Sequence, residues 1–356
     1  MIKTILFPYD CESFVYINNQ DLLREMEIKE VATFGGWGYV GEDLNNGILI
    51  VKDIRECDLV EYEAIWIVES RNNVDFQKDI LPVIKSAVQN RLKVICSKKL
   101  NVEEKSMICE AVPKEQLQFF NGEKRMFLKT TSELYDIDIP VILIIGLCQN
   151  TNKFDIQLGL RRKFVENEYV ISQIGTRYES LAFGFHSWFE KLDMLEDGQQ
   201  ILYINNYIKQ LECTEGSDAI IIGIPGESMP YSKKTGWNFG MLVLKVIQAI
   251  RPDYTILTIP YTEDIKEVAG EWKNNVEKRI GVPIDIVNIS DRCIFCGDEQ
   301  RIKETDYLKL NDRFMRRIKK EIGNSDFLVC SIEEDMTRMY EKIINKLSEE
   351  NTLVTV

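Results

Sequence analysis

Histidine is nearly missing: His186 is the only one in 356 residues. A three-histidine metal centre or a pair of catalytic histidines is thereby excluded, and Ser-His-Asp catalysis would have to run through His186 alone. Long apolar runs are missing too. The longest, at 139–147 (IPVILIIGL), is strand-sized, far below the roughly 20 residues a bilayer span demands, so no membrane span is expected. Positive charge is in deficit. With 44 Lys and Arg against 57 Asp and Glu, the net charge is -13, which opposes broad binding to nucleic acid or anionic membranes. The run Arg316-Arg317-Ile318-Lys319-Lys320 reads as a solvated helix face. No signal peptide is apparent, because MIKTILFPYD turns polar after a few residues. The nine cysteines are odd in number, and several (Cys96, Cys148, Cys330) sit in or beside apolar runs. They fit packed, reduced thiols in a cytoplasmic protein better than a disulfide framework.

What is present is a globular composition, 45% hydrophobic and 28% charged, in a chain long enough for two domains. Short β-branched runs alternate with longer helix-like stretches. In the first part strands are expected at Ile2–Phe7, Glu30–Phe34, Ile48–Val51, Ala64–Val68 and Leu92–Cys96, with helical spacing over Phe76–Gln89. Continuous apolar strands such as Ala64–Val68 suggest a parallel sheet covered on both faces. Residues 98–138 are more polar and irregular, and Pro140 precedes a strong apolar strand. The expected domains are therefore 1–136 and 137–356. In the second, strands are expected at Val141–Gly146, Tyr169–Ile174, Ala219–Ile224, Thr255–Ile259, Ile284–Ile289 and Phe327–Ser331. Helices are expected at Lys153–Glu166, Gly198–Leu211, Trp237–Ile250, Ile265–Ile280, Leu308–Ile322 and Ile332–Leu347. The fold class is α/β: two doubly wound three-layer domains, the N-terminal one Rossmann-like and the C-terminal one P-loop NTPase-like.

The chemistry concentrates after Val141–Ile145. The chain runs Gly146-Leu147-Cys148-Gln149-Asn150-Thr151-Asn152-Lys153 into an amphipathic stretch. Strand, loop, lysine and helix are the setting of a phosphate-binding loop, where helix N-terminal amides and an ammonium meet an anion. The loop is degenerate. Asn152 stands where the glycine before the lysine belongs, and Phe154 replaces the hydroxyl residue that serves Mg²⁺. Asn can still take the left-handed backbone such a turn needs. An ordinary strand-to-helix turn with a solvated Lys153 is the alternative. A second loop, Pro225-Gly226-Glu227-Ser228-Met229-Pro230, follows the strand at 219–224, and loops after adjacent strands meet at the carboxyl edge. Together the two loops resemble those of dethiobiotin synthetase-like P-loop proteins, in which the spacing from first glycine to lysine is also one residue longer than usual.

Three further blocks carry a second resemblance: Asn150–Arg161; Val170–Arg177 with Phe183-Gly184-Phe185-His186-Ser187; and Ile224–Tyr231. With Gly35-Gly36-Trp37-Gly38-Tyr39-Val40-Gly41 they resemble a family of bacterial peptide maturation system proteins, encoded in natural-product cassettes beside a radical SAM enzyme and a short precursor peptide. The resemblance implies a cytoplasmic accessory protein in making a modified peptide, with the precursor peptide or the radical SAM maturase as partner, a homodimer being open. It leaves the reaction open.

The ligand-binding residues expected are Gly146, Asn150, Asn152, Lys153, Pro225, Gly226, Arg177 and His186, for an anion or a nucleotide (ATP or GTP with Mg²⁺), and Arg161 could add charge. A competing reading is ATP-dependent ligation or phosphoryl transfer, with Glu227 or Asp155 at Mg²⁺; a third is a non-catalytic scaffold. Other motifs weigh less. Gly36, Gly38 and Gly41 spell G-x-G-x-x-G, but Glu42, Asp43, Asn45, Asn46 and Gly47 follow, a loop rather than the helix a dinucleotide site opens, and Trp37 reads as an exposed or interfacial anchor. Cys293 and Cys296 form one C-x-x-C with no second pair, half of a zinc site unless shared across a dimer. His186, among aromatics, is as fit for packing as for function. Tyr9, Asp10 and Glu12, like Glu69 and Arg71, read as polar strand exits.

Overall fold

The computed structural model describes residues 1–44, 49–120, 132–187, 192–230, 239–295, 306–323 and 327–353. It forms two compact units, Met1–Gly122 with Tyr178–Phe185, and Glu123–Arg177 with His186–Val356.

The first unit carries strands β1 (Ile2–Phe7), β2 (Met26–Thr33), β3 (Val51–Asp53), β4 (Ala64–Ile67), β5 (Lys93–Cys96) and β6 (Leu117–Phe119), with helices α1 (Phe14–Asn18), α2 (Leu81–Gln89) and α3 (Val102–Ala111). Among the described residues the sheet has six strands, all parallel, in the order β3-β2-β1-β4-β5-β6. This is the order of the dinucleotide-binding doubly wound sheet. Ile5, Phe7, Ile65, Ile67 and Val94 face Ile84, Ala87 and Ile108 of α2 and α3. On the other face the fully buried Trp66 meets Tyr16 of α1, ring centroids 5.4 Å apart. Burial on both faces is why these strands read as unbroken apolar runs. β6 falls in the stretch read as irregular; at three residues it is too short for a periodicity to show.

In the second unit β7 (Val141–Gly146) leads through helix α4 (Lys153–Glu166) to β8 (Ile171–Ile174). Then follow α5 (Asp197–Glu215), β9 (Ala219–Gly223), α6 (Met241–Ala249), β10 (Tyr254–Tyr261), α7 (Ile265–Ile280), β11 (Ile286–Phe295), β12 (Asp306–Lys309), α8 (Asp312–Ile322), β13 (Phe327–Leu328) and α9 (Glu333–Leu353). The order is β12-β11-β10-β7-β9-β8, with β13 also on β11. All described pairs are parallel except β11–β12. Alternation along β7 divides the core: Val141, Leu143 and Ile145 pack with α5, α6, α7 and α8, while Ile142 and Ile144 pack with α4 and α9.

Several expected boundaries move. Residues 308–309, read as the start of a helix, end β12, and α8 begins only after Asn311, whose side chain accepts from Phe314 N at 2.9 Å. The helix expected from Trp237 begins at Met241, because Phe239 (φ 51°) and Gly240 (φ 72°) are left-handed. Asn45–Gly47, residues 231–238 and Cys296 lie outside the described residues.

Candidate functional site

The turn between β7 and α4 is built by close approach. Gly146 ends β7, and a Cβ on it would stand 2.6 Å from Cys148 O, 2.6 Å from Lys153 Nζ and 2.8 Å from Thr151 Oγ1. The carbonyl of Gly146 accepts Ser228 N at 2.8 Å and Ser228 Oγ at 2.7 Å, which pins the loop after β9 onto the first residue of the turn. Gly146→Ala is therefore expected to cost about 2 kcal/mol of stability by overpacking, read by urea denaturation, and to displace Lys153.

Asn152 takes the glycine's place with φ 62° and ψ 18°, and Asn150 is left-handed as well (φ 55°). The turn thus survives without glycine, as expected of asparagine. Asn152 caps nothing on its own helix. Its Oδ1 accepts Asp291 N at 3.2 Å and the Ser290 hydroxyl, so the side chain straps the turn to β11. The Thr258 hydroxyl donates to Thr151 O, and Asn288 Nδ2 donates to Thr258 Oγ1 at 3.0 Å. The turn is held from β10 and β11 by side chains, and the first-turn amides of α4 are left uncapped by Asn152.

Lys153 is buried, not solvated. Its Nζ donates to Gly226 O at 2.7 Å and to Cys148 O at 3.2 Å, bridging the two loops. Burial holds its pKa down to about 8, with Arg177 and Arg292 acting the same way against Cys148 and Glu227. An ammonium with two carbonyls and no carboxylate in hydrogen-bond contact among the described residues is short of negative charge.

In front of this turn lies a cavity of about 340 Å³, lined by Gln149–Phe154, Thr176, Arg177, Pro225, Gly226 and Leu242. The fully buried Gln157 of α4 sets its far wall. Its Nε2 donates to Ile174 O at 2.7 Å and its Oε1 accepts Thr176 N at 3.2 Å, placing Thr176 and Arg177 over the cavity. The Arg177 guanidinium lies 5.8 Å from the centre of the Phe154 ring.

Of the residues expected to bind ligand, Asn150, Asn152, Lys153, Arg177, Pro225 and Gly226 come together around this cavity, with Gly146 under Lys153. His186 does not. It forms a parallel bridge with Ile174, and its Nε2 lies 3.1 Å from Glu215 Oε2 on α5. Ser172 donates to the same Glu215 oxygen rather than to the imidazole, so no serine–histidine relay forms here. His186→Ala is expected to cost about 2 kcal/mol in thermal denaturation and to leave anion affinity within about twofold. Arg161 bonds Gln173 Oε1 at 3.1 Å and does not line the cavity. Thr176, Leu242 and the straps Thr258, Asn288 and Ser290 escaped sequence reading, since no motif spacing links them to the turn.

At the carboxyl edge of the first unit the dinucleotide position is closed. Asp10, fully buried after β1, accepts Glu12 N at 2.8 Å, Arg71 N at 2.7 Å and the Ser70 hydroxyl at 2.8 Å. Amides that could hold a pyrophosphate already hold this carboxylate. The G-x-G-x-x-G segment follows β2, not β1, and opens no helix; Trp37 is half-buried, 4.9 Å from Phe34 between ring centres.

No family model and no curated protein matches the chain. Among solved structures it is similar to a DUF1611 family protein from Anabaena variabilis, at 11% identity over 97% of this chain and 100% of that one, with a TM-score of 0.63. That likeness spans both units and shows the two-unit α/β fold. A GTPase from Pyrococcus abyssi is matched at 12% identity over 58% of this chain and 97% of that one, TM-score 0.30. Chloroplast FtsY from Physcomitrella patens is matched at 14% over 62% and 74%, TM-score 0.29. No helix among the described residues is long and apolar enough to cross a membrane.

Proposed function

We propose that the second unit binds a phosphate-bearing ligand, a nucleotide such as ATP or GTP, at the turn 146–153, and that the protein serves as a cytoplasmic accessory protein in the maturation of a ribosomally made peptide. The observation that carries the binding reading is Lys153. A buried ammonium joins the two loops at their carbonyls beside a cavity of about 340 Å³ that also holds Arg177. Two cations and an uncapped helix start favour a dianion over a neutral ligand. The role in peptide maturation, with a precursor peptide and a radical SAM maturase as partners, rests on the sequence blocks at 150–161, at 170–177 with 183–187, and at 224–231, each of which contributes residues to the cavity.

Calorimetry with pyrophosphate, ATP and GTP, with and without Mg²⁺, tests the binding. Metal-independent affinity that Lys153→Met removes supports it, and no heat from any of the three ends it. Turnover of ATP in the presence of the precursor peptide replaces the accessory role by ligation or phosphoryl transfer. Co-purification with the peptide or maturase encoded beside this gene tests the partners, and a gene with no such neighbours removes the maturation role.

A further inference from the structure

The basic run at 316–320 does not present a single face. Lys319 turns inward: its Nζ donates to Phe327 O at 2.5 Å and lies 3.0 Å from the buried Asp335. Met315 and Ile318 pack into the core. Arg313, Arg316, Arg317 and Lys320 are all exposed, and their spacing of i, i+3, i+4 and i+7 sets them along one stripe of α8. These four residues line a groove of about 460 Å³. It shares no lining residue with the cavity in front of Lys153.

Like charges at i, i+3 and i, i+4 repel and destabilise a helix, so this stripe works against α8 unless anions meet it. The chain itself meets it only in part. Arg316 Nη1 stands 3.5 Å from Glu334 Oε2 and Arg317 Nε 3.7 Å from Glu321 Oε1, and those carboxylate side chains are 71% and 50% exposed. Surface pairs of this kind are weak and exchange readily. Among the described residues Arg313 and Lys320 have no ion-pair partner. Arg317 is already ordered. Its guanidinium lies 4.8 Å from the centre of the Phe314 ring, and that ring meets Tyr261 edge-on at 5.3 Å, so an incoming carboxylate finds it in place.

We infer that this face of α8 docks an acidic segment of another protein. From Arg313 to Lys320 the stripe is about 10 Å long, the span of three to four extended residues. Asn311 already takes the Phe314 N–H at the helix start, so the attraction comes from side chains strung along two turns. A row of carboxylates matches such a row, each guanidinium fork holding one carboxylate through two hydrogen bonds; a compact anion reaches only one or two of the four. Nucleic acid brings charge well beyond the stripe and meets the repulsion of a chain with net charge -13. A short acidic segment brings its charge only where the cations stand. The inference is independent of the phosphate reading at Lys153.

Fluorescence anisotropy of a labelled octaglutamate peptide, titrated with the full chain at about 50 mM salt, tests this. Saturable binding is expected, at least about tenfold weaker in Arg313→Glu with Lys320→Glu. Both side chains are exposed, so the variant should fold; Arg313→Gln with Lys320→Gln, expected to weaken binding about threefold, keeps the test valid if the reversal does not. No binding by the wild type, or equal binding by the variants, overturns the assignment. So does displacement of the peptide by equimolar pyrophosphate, which makes the ligand a small anion, or tighter binding of a single-stranded oligothymidylate, which makes it a nucleic acid. A dimer in sedimentation that the charge reversal dissolves makes the occupant a second copy and overturns it as well. Lys153→Met should bind the peptide as the wild type does. Loss of the peptide in Lys153→Met would move it to the other cavity, whereas failure of the peptide to bind at all leaves the phosphate reading standing.

Discussion

Replacing Lys153 by methionine is expected to weaken pyrophosphate binding by about 50-fold or more, since a charge-assisted hydrogen bond contributes about 2–3 kcal/mol. The fold should be far less affected. Removing the ammonium relieves the burial that holds its pKa down to about 8, but it strands the carbonyls of Cys148 and Gly226. These effects are of similar size and opposite sign, so the net change should stay within about 1–2 kcal/mol. The pH dependence carries a sign. Below about pH 8 Lys153 is charged in both the folded and unfolded protein, and the burial penalty is fully present. From there up to its ordinary pKa near 10.5 the folded state has given up the proton that the unfolded state keeps, so the wild type gains stability relative to the variant, by roughly 3 kcal/mol at most. Anion affinity moves the other way. It should be flat below about pH 8 and fall up to tenfold per unit above it, because Lys153 attracts the ligand only in its charged form, while Arg177 stays charged throughout. Calorimetry and thermal denaturation between pH 6 and 10 measure both; an affinity that rises with pH in that range contradicts the role given to Lys153.

Asp10→Ala should be the most damaging substitution in the first unit. The carboxylate is fully buried and takes two backbone N–H groups and a hydroxyl from the chain ends that follow β1 and β4. Its loss leaves two amide donors unmet, at about 1–3 kcal/mol each, so a loss of about 3–4 kcal/mol is expected in urea denaturation. Asp10→Asn keeps an acceptor and should cost less than the alanine. Neither should alter pyrophosphate affinity at Lys153, which belongs to the other unit. A pyrophosphate heat that disappears with Asp10→Ala in a folded protein would place the anion in the first unit instead.

Much of the scaffold could be read along the chain. α4 and α7 appear with the boundaries expected, Lys153–Glu166 and Ile265–Ile280, because a steady helical spacing ends at a residue suited to stop it; Gly281 takes φ 75° after α7. Edges were harder. β11 runs to Phe295 rather than Ile289, since Ser290, Asp291 and Arg292 interrupt the apolar pattern while remaining buried among one another's partners. The turn 146–153 is legible from Gly146 and Lys153, whose spacing states a local geometry. Arg177 and His186 are both expected at the ligand from the sequence; the structure places the first at the cavity and the second against Glu215, because which way a side chain after a strand faces is set by the neighbouring elements.

The sequence by itself determined the alternation of strand and helix, the mainly parallel character of the two sheets, and the strand–turn–lysine–helix order at 146–153, because each depends on residues within a few positions of one another. Only the tertiary structure decided that Lys153 is buried against Gly226 O and that Asp10 fills the first unit's switch point. These are pairings across 73 and 61 residues, set by strand order. The order β12-β11-β10-β7-β9-β8 follows from how whole faces bury against helices, which no local pattern encodes.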